Sequence, residues 1–498
     1  MVFRACLHRP CDRWGAYIFL AAKPSAHSVS EHNPGAVHLL PQSLVRTRVP
    51  RSRFPFCRMP ARMKLAIVGS GISGLAVAHR LHASADITLF EAGGYFGGHT
   101  HTVDVTLPTP NGMVTHGVDT GFLVFNGRTY PQLIALLAGL NVATAKTDMS
   151  FSAQISGERY VEWSGSTLAS VFAQRSNLWS PRFWGMLRDL LRFNKIATRL
   201  ARAENDAALA QPLGEFLDQH RFGKAFRDWY FLPMMGCIWS CPTAQMLEFP
   251  VATMVRFCHN HGLLQVLDRP QWWTVTGGAR HYVDKITAKI VDKRLNCPVQ
   301  RIERLADGVH ISSQHYGFAH TERFDNVVLA THSDQALALL AAPTPSEQAT
   351  LGAIHYHPNH AVLHTDASVL PRNPSAWAAW NYERAQPHPA SASASASAVE
   401  SDRVCLHYWL NKLQPLPWAQ PVVVSLNPTR EIQPAHILGT YAYAHPVLDL
   451  AAIAAQQRMP ALQGQQNTYF CGAWMGYGFH EDGLKSGLAV AQQLEALV

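Results

Sequence analysis

The chain has 498 residues, 47% of them hydrophobic and 15% charged, so it is long enough for two or three domains with sizeable cores. Residues 1–62 hold ten Lys/Arg and two acids and carry the whole formal net charge of +8. The neutral remainder gives no reason to expect a nucleic-acid partner. Nine scattered cysteines favour a reducing, cytoplasmic compartment. No apolar run reaches the about 18–20 residues of a transmembrane helix.

Residues 1–62 are rich in Arg, Pro, Ser and His and show no apolar periodicity. This composition predicts a disordered or spurious N-terminal extension, with translation starting at Met63, because Lys64 opens the first predicted strand. The alternatives are a signal peptide with 14–22 as its apolar segment and an Arg-rich transit peptide.

The stretch 64–91, KLAIVGSGISGLAVAHRLHASADITLFE, predicts a strand, a glycine-rich turn, a helix and a second strand. Gly69 permits the tight turn, Gly71 lets a pyrophosphate approach the backbone, and Gly74 lets the helix pack on the strand. Glu91 follows Gly69 by 22 residues, where a carboxylate can accept hydrogen bonds from ribose hydroxyls. Because all the parts fall in register, the stretch predicts a dinucleotide-binding site.

Between residues 93 and 202 the pattern predicts a hairpin turn and two helices. Asn111-Gly112 is a hairpin signal, and 129–141 is typical of an amphipathic helix. The stronger helix, 181–202, combines an apolar side with six basic residues. Such a helix can lie on an anionic membrane surface. The alternative is a surface helix whose apolar stripe covers the core.

Residues 226–275 are dense in aromatic side chains and methionine, the composition of a large apolar pocket or of an ordinary core. The Cys237 and Cys241 pair, with Cys258, His259 and His261 nearby, raises a zinc hypothesis. No second ligand pair follows at a zinc-finger spacing, so no metal is predicted.

The rest of the chain predicts a second strand–glycine–helix unit near its end. The predicted elements are a helix at 276–291, a hairpin at 297–313, strands at 325–330 and 467–471, and a helix at 484–497. Glycines between the last strand and helix form the second turn. From residue 343 the pattern is irregular, and the Ala/Ser repeat at 387–401 is typical of an exposed insertion.

The sequence resembles the flavin-containing amine oxidase superfamily, which includes carotenoid desaturases and protoporphyrinogen oxidase. The likeness covers about residues 63–498 and is strongest at GSGISG (69–74), at Glu91 with the glycines at 97–98, and at GAWMGYGFHEDGLKSG (472–487). A closer likeness is to predicted NAD/FAD-binding proteins often encoded beside cyclopropane-fatty-acid synthases. That likeness lies in WSCPTAQMLEFP (239–250), NHGLL (260–264) and GYGFHEDG (476–483).

The resemblance implies an α/β architecture in which a Rossmann-like FAD-binding domain is interleaved with an α+β substrate domain. The FAD-binding domain would comprise 63–125, 277–345 and 464–498. The substrate domain would comprise 126–276 and 346–463, with the low-complexity insertion at 387–401.

The resemblance also implies FAD as the cofactor. The residues implied to bind it are Gly69, Ser70, Gly71, Ser73, Gly74, Glu91, Gly98, His99, Thr120, Gly121, Phe122, Val299, Gly472, Glu481, Asp482 and Gly483. Val299 would present its backbone to adenine, and the N-terminus of the last helix would stabilise negative charge on reduced flavin.

Three positions depart from the family pattern. The arginine of the family's GGR motif is His99, the acid after the C-terminal strand is Ala473, and the cage tyrosine is Phe479 or His480. No counterpart of the amine oxidases' catalytic lysine is found. These departures weigh against amine oxidation.

Together these features imply an FAD-dependent oxidoreductase that moves hydride from an apolar substrate, such as a fatty acyl or isoprenoid chain, to flavin N5. Phe479 and His480 are the candidate catalytic residues, and His480 either exchanges a proton near neutral pH or only hydrogen-bonds its neighbours. The alternatives are an amine oxidase and a non-catalytic FAD-binding partner of a lipid-modifying enzyme. We expect a small-molecule or lipid substrate, a place in lipid metabolism, and a cytoplasmic location with peripheral membrane contact through 181–202.

Overall fold

The computed structural model describes residues 62–202, 211–265, 269–384 and 404–497. The N-terminal extension, apart from Arg62, and the Ala/Ser insertion lie outside these residues, so both remain predictions. Within the described ranges, no helix combines the length and the apolar character needed to cross a membrane.

A five-stranded parallel sheet organises the fold. In spatial order its strands are Asp292–Arg294, Asp86–Phe90, Lys64–Val68, Asn326–Leu329 and Thr468–Phe470. Leu65 and Ile67 pack on one side of this sheet, and Ala66 and Val68 pack on the other. Such continuous apolar strands are typical of a parallel sheet that is covered on both faces. The strands come from well-separated parts of the chain, while the predicted domain boundaries stay a prediction.

Three helices cover the first face: Ile72–Leu81, Arg280–Thr287 and His480–Glu495. The first and last helices approach closely, because a Cβ at Gly487 would lie only 2.3 Å from the backbone oxygen of Ser73. The last helix begins at His480, so the prediction that it starts at 484 is wrong. Asp482 explains the earlier start, since its carboxylate accepts a hydrogen bond from the Phe479 N–H at 3.0 Å and caps the helix.

The second face is covered by an antiparallel sheet and three helices. The sheet contains Val299–Leu305, Gly308–His315 and Phe318–Phe324, and the helices are Ser333–Leu339, Pro345–Leu351 and Leu450–Arg458. The hairpin predicted around Asp307-Gly308 is confirmed. The sequence reading missed the third strand.

A seven-stranded mixed sheet forms the other half of the molecule. In spatial order its strands are Ile437–Pro446, Tyr356–His364, Val423–Leu426, Cys405–Trp409, Trp380–Arg384, Phe151–Ile155 and Val161–Ser164. The prediction of irregular structure from residue 343 is therefore wrong. Buried polar residues such as His364, Asn381, His407 and Ser425 interrupt the apolar pattern of these strands and hydrogen-bond inside the sheet.

Further helices and two small sheets complete the fold. The longer helices are Pro131–Gly139, Pro181–Arg202, Leu213–Gln219, Leu232–Trp239 and Val251–Asn260, and shorter ones are Leu168–Val171, Lys224–Phe226, Thr243–Met246 and Leu410–Leu413. The remaining strands are Thr102–Thr109, Gly112–Asp119, Phe125–Asn126, Thr144–Thr147 and Trp272–Val275. The Pro181–Arg202 helix buries Phe183, Met186 and Phe193, so its apolar stripe does cover the core.

Candidate functional site

A cavity of about 1650 Å³ runs along the carboxyl ends of the parallel strands. Gly69, Glu91, Ala330 and Gly472, which follow four of these strands, all line it. Open α/β sheets bind ligands at this place. We call this part the cofactor arm, and the part beside the Pro181–Arg202 and Leu232–Trp239 helices the substrate arm. The volume exceeds the roughly 300–1000 Å³ of a typical single-ligand pocket, so the cavity has room for two molecules.

The glycine-rich turn gives the cofactor arm a bare backbone surface. Gly69 has φ +100°, a conformation that side chains rarely adopt. A Cβ at Gly74 would lie 2.0 Å from the oxygen of Gly69, so Gly74 packs the helix on the turn. A Cβ at Gly71 would meet nothing within 4 Å, and Gly71 lines the cavity with Ser70 and Ser73. Together with the adjoining helix N-terminus, this open position fits a pyrophosphate.

Glu91 is held firmly at the edge of this turn. One of its carboxylate oxygens accepts hydrogen bonds from the N–H and hydroxyl of Ser70 at 3.0 and 2.5 Å, and the other accepts from the Gly93 N–H at 2.8 Å. The oxygen bonded to Gly93 retains a lone pair, and the half-buried side chain lines the cavity. Its predicted role, binding of ribose hydroxyls, fits this position.

We expect Glu91→Gln to weaken FAD binding by about tenfold to a hundredfold, since a hydrogen bond to a charged group contributes about 1.5–3 kcal/mol. The measurement is the dissociation constant from titration of flavin fluorescence. Ser70→Ala removes one contact of the carboxylate but leaves the charge, so it measures the effect of loosening Glu91 separately from the loss of its charge. Equal FAD affinity in Glu91→Gln and the parent would remove Glu91 from the site.

The segments at 98–99 and 121–122 line the cofactor arm together. The Phe122 N–H donates to the oxygen of His99 at 2.7 Å, and Gly97 pairs with Gly71 in an isolated bridge. Thr120 is different. Its side chain is directed to Tyr443 and the His101 backbone and does not line the cavity, so its assignment to the cofactor site stays a prediction.

At the end of the chain only part of the predicted set reaches the cavity. Val299 and Gly472 line it, whereas Glu481, Asp482 and Gly483 are not among its lining residues, so the assignment of these three to the cofactor stays a prediction. The carboxylate of Glu481 accepts from the N–H groups of Gln132 and Leu133, both at 3.0 Å. It therefore caps the Pro131–Gly139 helix.

Phe479 and His480 both line the cavity. The His480 ring stacks on Phe122 with centroids 3.9 Å apart, and its Nε2 lies 2.8 Å from the hydroxyl of the buried Tyr282. Burial lowers the pKa of His480 to about 3, so the ring is neutral near pH 7. The occupied Nε2 favours the alternative in which His480 holds its neighbours in place, and it removes support for His480 as the base.

The sequence analysis did not identify several residues in or beside the cavity. His332 and His445 line the cofactor arm with His99, and Tyr282 anchors His480. His332 could have been found, because it lies two residues after the buried strand predicted at 325–330. The signal for His445 was absent, since its strand lies in the region predicted to be irregular.

The cysteines of the zinc hypothesis are buried among apolar side chains. The sulfur of Cys241 lies 3.0 Å from that of Met246, and burial raises the pKa of the Cys241 and Cys258 thiols to about 12. Protonated thiols are poor metal ligands. A different buried group, Glu383, Cys405 and His407, places ligand atoms within 4.8 Å of one another.

That group is held by its own hydrogen bonds. Glu383 accepts from His407 at 2.9 Å and pairs with the Arg430 guanidinium at 2.8 Å. A resident cation would lie beside this guanidinium, so we interpret the group as a structural network.

The family model described as flavin containing amine oxidoreductase matches residues 72–414, and the chain belongs to this family. The protein is an FAD-dependent oxidoreductase, and the bare turn, the helix N-terminus and Glu91 fit this cofactor. No curated protein sequence matches the chain.

Three solved structures are similar in fold. A CLA-producing fatty acid isomerase from P. acnes shares 14% identity at a TM-score of 0.57, covering 86% of this chain and 98% of its own. Cyclohexylamine oxidase from Brevibacterium oxydans IH-35A shares 17% at 0.57, with 87% and 100% covered. Putrescine oxidase bound to putrescine shares 14% at 0.58, with 87% and 99% covered. At these identities the likeness establishes the fold.

Proposed function

We propose that this protein oxidises a long apolar chain, such as a fatty acyl or isoprenoid chain, with FAD as the hydride acceptor. The observation that carries the proposal is the lining of the substrate arm, which includes Phe151, Phe172, Leu187, Leu190, Met234 and Ile238. An apolar chain placed there gains about 0.8 kcal/mol for each buried CH₂. The arm continues into the cofactor arm, so such a chain reaches the flavin without crossing water.

An amine substrate finds fewer partners in the described part of this cavity. Asp148 and Glu91 are the carboxylates that line it, and Asp148 already pairs with Lys412 at 3.0 Å. Arg269, the basic side chain of the described lining, repels an ammonium group. The lining contains no lysine among the described residues. These observations favour an apolar substrate over an amine.

The test is anaerobic reduction of the bound flavin, followed by its visible absorbance. We expect bleaching by fatty acyl or isoprenoid substrates and none by cyclohexylamine or putrescine. Ile238→Trp, which fills the substrate arm, should slow this bleaching, whereas Leu305→Trp at an exposed site should not. Bleaching by the amines alone would contradict the proposal, and a flavin reduced by none of these compounds would favour the non-catalytic alternative.

We further propose that the substrate arm opens onto a membrane. Apolar side chains are unusually exposed near its mouth, with exposed fractions of 82% for Leu168, 87% for Trp179, 50% for Trp184 and 59% for Leu191. Three of them line the cavity as well. We call these four residues the entrance surface. Exposed apolar side chains that adjoin a cavity are typical of a binding site.

The charges beside the entrance surface favour an anionic bilayer as its partner. Exposed basic residues flank it: Arg175, Arg182, Arg188 and Lys195. Each basic residue near an anionic membrane contributes about 1 kcal/mol. Trp179 and Trp184 are of the residue type that is enriched at the membrane–water interface. Peripheral contact through the Pro181–Arg202 helix thus has apolar anchors and matching charge.

The double variant Leu168→Ser/Trp179→Ser should bind anionic vesicles at least tenfold more weakly, because each apolar side chain contributes about 1.5–3 kcal/mol on full burial. The measurement is cosedimentation with phosphatidylglycerol/phosphatidylcholine vesicles at low and high salt. Tyr316→Ser/Phe318→Ser is the matched control, since these residues are also exposed but lie outside the entrance surface. Equal vesicle binding by the parent and both double variants would contradict membrane contact through this surface.

A further inference from the structure

Three histidines form a cluster on the wall of the cofactor arm. The ring centroid of His99 lies 5.4 Å from the ring centroid of His445 and 6.3 Å from that of His332. All three side chains line the cavity. The Nε2 atom of His99 is buried and has no hydrogen-bond partner among the described residues. We call these residues the histidine cluster.

The cluster lies beside the glycine-rich turn. Gly98, which precedes His99, is so close to Gly71 that a Cβ on it would lie 3.1 Å from the Gly71 Cα. On the other side, a Cβ at Gly69 would lie 2.7 Å from the oxygen of Ala330, two residues before His332. The imidazoles thus border the same space as the backbone that fits a pyrophosphate.

We propose that the histidine cluster binds the FAD pyrophosphate and takes up protons as it does so, which makes FAD affinity dependent on pH. The inference rests on FAD being the family's cofactor and is independent of the proposed substrate. An imidazolium at His99 can donate from its unpartnered Nε2 to a phosphate oxygen. His445 can donate only from Nε2, because its Nδ1 accepts from the side-chain amide of Asn359 at 2.9 Å.

The groups around the cluster leave it neutral in the absence of an anion. Burial lowers the pKa of His99 to about 4 and that of His445 to about 3, and burial also lowers the pKa of His332. The other titratable groups that face the cluster are His357 opposite His445, His480 near His99, Asp334 beside His332, and the tyrosines Tyr356 and Tyr443. Asp334 raises the pKa of His332 but does not outweigh burial.

The sign of the pH dependence follows from these pKa values. A pyrophosphate favours the charged imidazole, so the bound form has the higher pKa and binding takes up protons. FAD affinity therefore rises as pH falls through the bound-state pKa, and the gain stops near the free-state values of about 3 and 4. If one histidine returns to about 6.5 when FAD is bound, affinity is about tenfold higher at pH 5.5 than at pH 8.

The experiment measures FAD release from the diluted holoenzyme by flavin fluorescence between pH 5.5 and 8. Calorimetry in two buffers of different ionisation enthalpy then counts the protons taken up by the deflavinated full chain. We expect tighter FAD binding at pH 5.5, with uptake of about one proton per FAD bound at that pH. His99→Gln and His445→Gln should reduce both effects, whereas His99→Arg should bind FAD tightly with a weaker pH dependence. His310→Gln, an outside histidine paired with Asp307, should behave as the parent.

Riboflavin, which lacks phosphate, identifies the group that is bound. If its binding takes up as many protons as FAD binding does, the cluster does not act on the pyrophosphate and the proposal fails. The proposal also fails if FAD binds the parent with equal affinity from pH 5.5 to 8 and without proton uptake. Either result leaves FAD as the cofactor and leaves the proposed substrate untouched.

Discussion

Replacing Gly74 with alanine is expected to destabilise the protein by more than about 3 kcal/mol and to abolish FAD retention. The new Cβ would lie 2.0 Å from the backbone oxygen of Gly69, and neither backbone segment can yield without separating the helix from its strand. The same oxygen belongs to the turn that borders the cofactor arm. Thermal unfolding and bound FAD per chain measure the two effects.

Substitutions at two other glycines distinguish an effect on packing from an effect on cofactor contact. Gly71→Ala places a methyl group in open space that faces the cavity, so it should weaken FAD binding while the FAD-free chain unfolds as the parent does. Gly185→Ala lies inside the Pro181–Arg202 helix with no atom within 4 Å and should stabilise by about 1 kcal/mol. If Gly74→Ala unfolds at the same temperature as the parent and retains its FAD, the helix and the turn do not approach each other as closely as described.

Glu481→Gln should lower the free energy of unfolding by about 2–3 kcal/mol without changing FAD affinity. The carboxylate is 3% exposed and accepts from two backbone N–H groups at the start of the Pro131–Gly139 helix. The glutamine side chain retains one acceptor oxygen and sets an N–H₂ group against the other donor. Chemical denaturation of FAD-free protein and an FAD titration give the two values.

Glu495→Gln is the matched control on the same helix. Glu495 pairs with Arg80 at the surface, where an ion pair contributes about 0–1 kcal/mol. We therefore expect Glu495→Gln to change the free energy of unfolding by at most about 1 kcal/mol and to leave the FAD affinity unchanged. If Glu481→Gln were as stable as Glu495→Gln but lost FAD, the result would support the assignment of Glu481 to the cofactor.

The parts of the fold that sequence could predict are those with a local signal. The apolar run 65–68, followed by Gly69 and Gly71, determines a strand and a turn within a few residues. The seven-stranded sheet lacks that signal, because His364, His407 and Ser425 lie buried within its strands and satisfy one another across them. Their pairing is visible only once distant strands have met.

The same contrast between local and distant signals applies to the candidate site. Glu91 could be placed because it ends a strand at a fixed distance from Gly69, and its contacts to the turn are local. Glu481 could not, since its partners Gln132 and Leu133 lie far away in the sequence. The family resemblance implied a cofactor contact for Glu481, whereas its carboxylate caps another helix in the structure.

A crystal structure of the holoenzyme with a non-reactive long-chain acyl ligand tests the central claim most directly. The account predicts FAD along Gly71 and Glu91 in the cofactor arm and the acyl chain in the substrate arm, running past Met234 toward Leu191. Density for the chain outside the cavity, or a substrate arm filled by FAD itself, would contradict it.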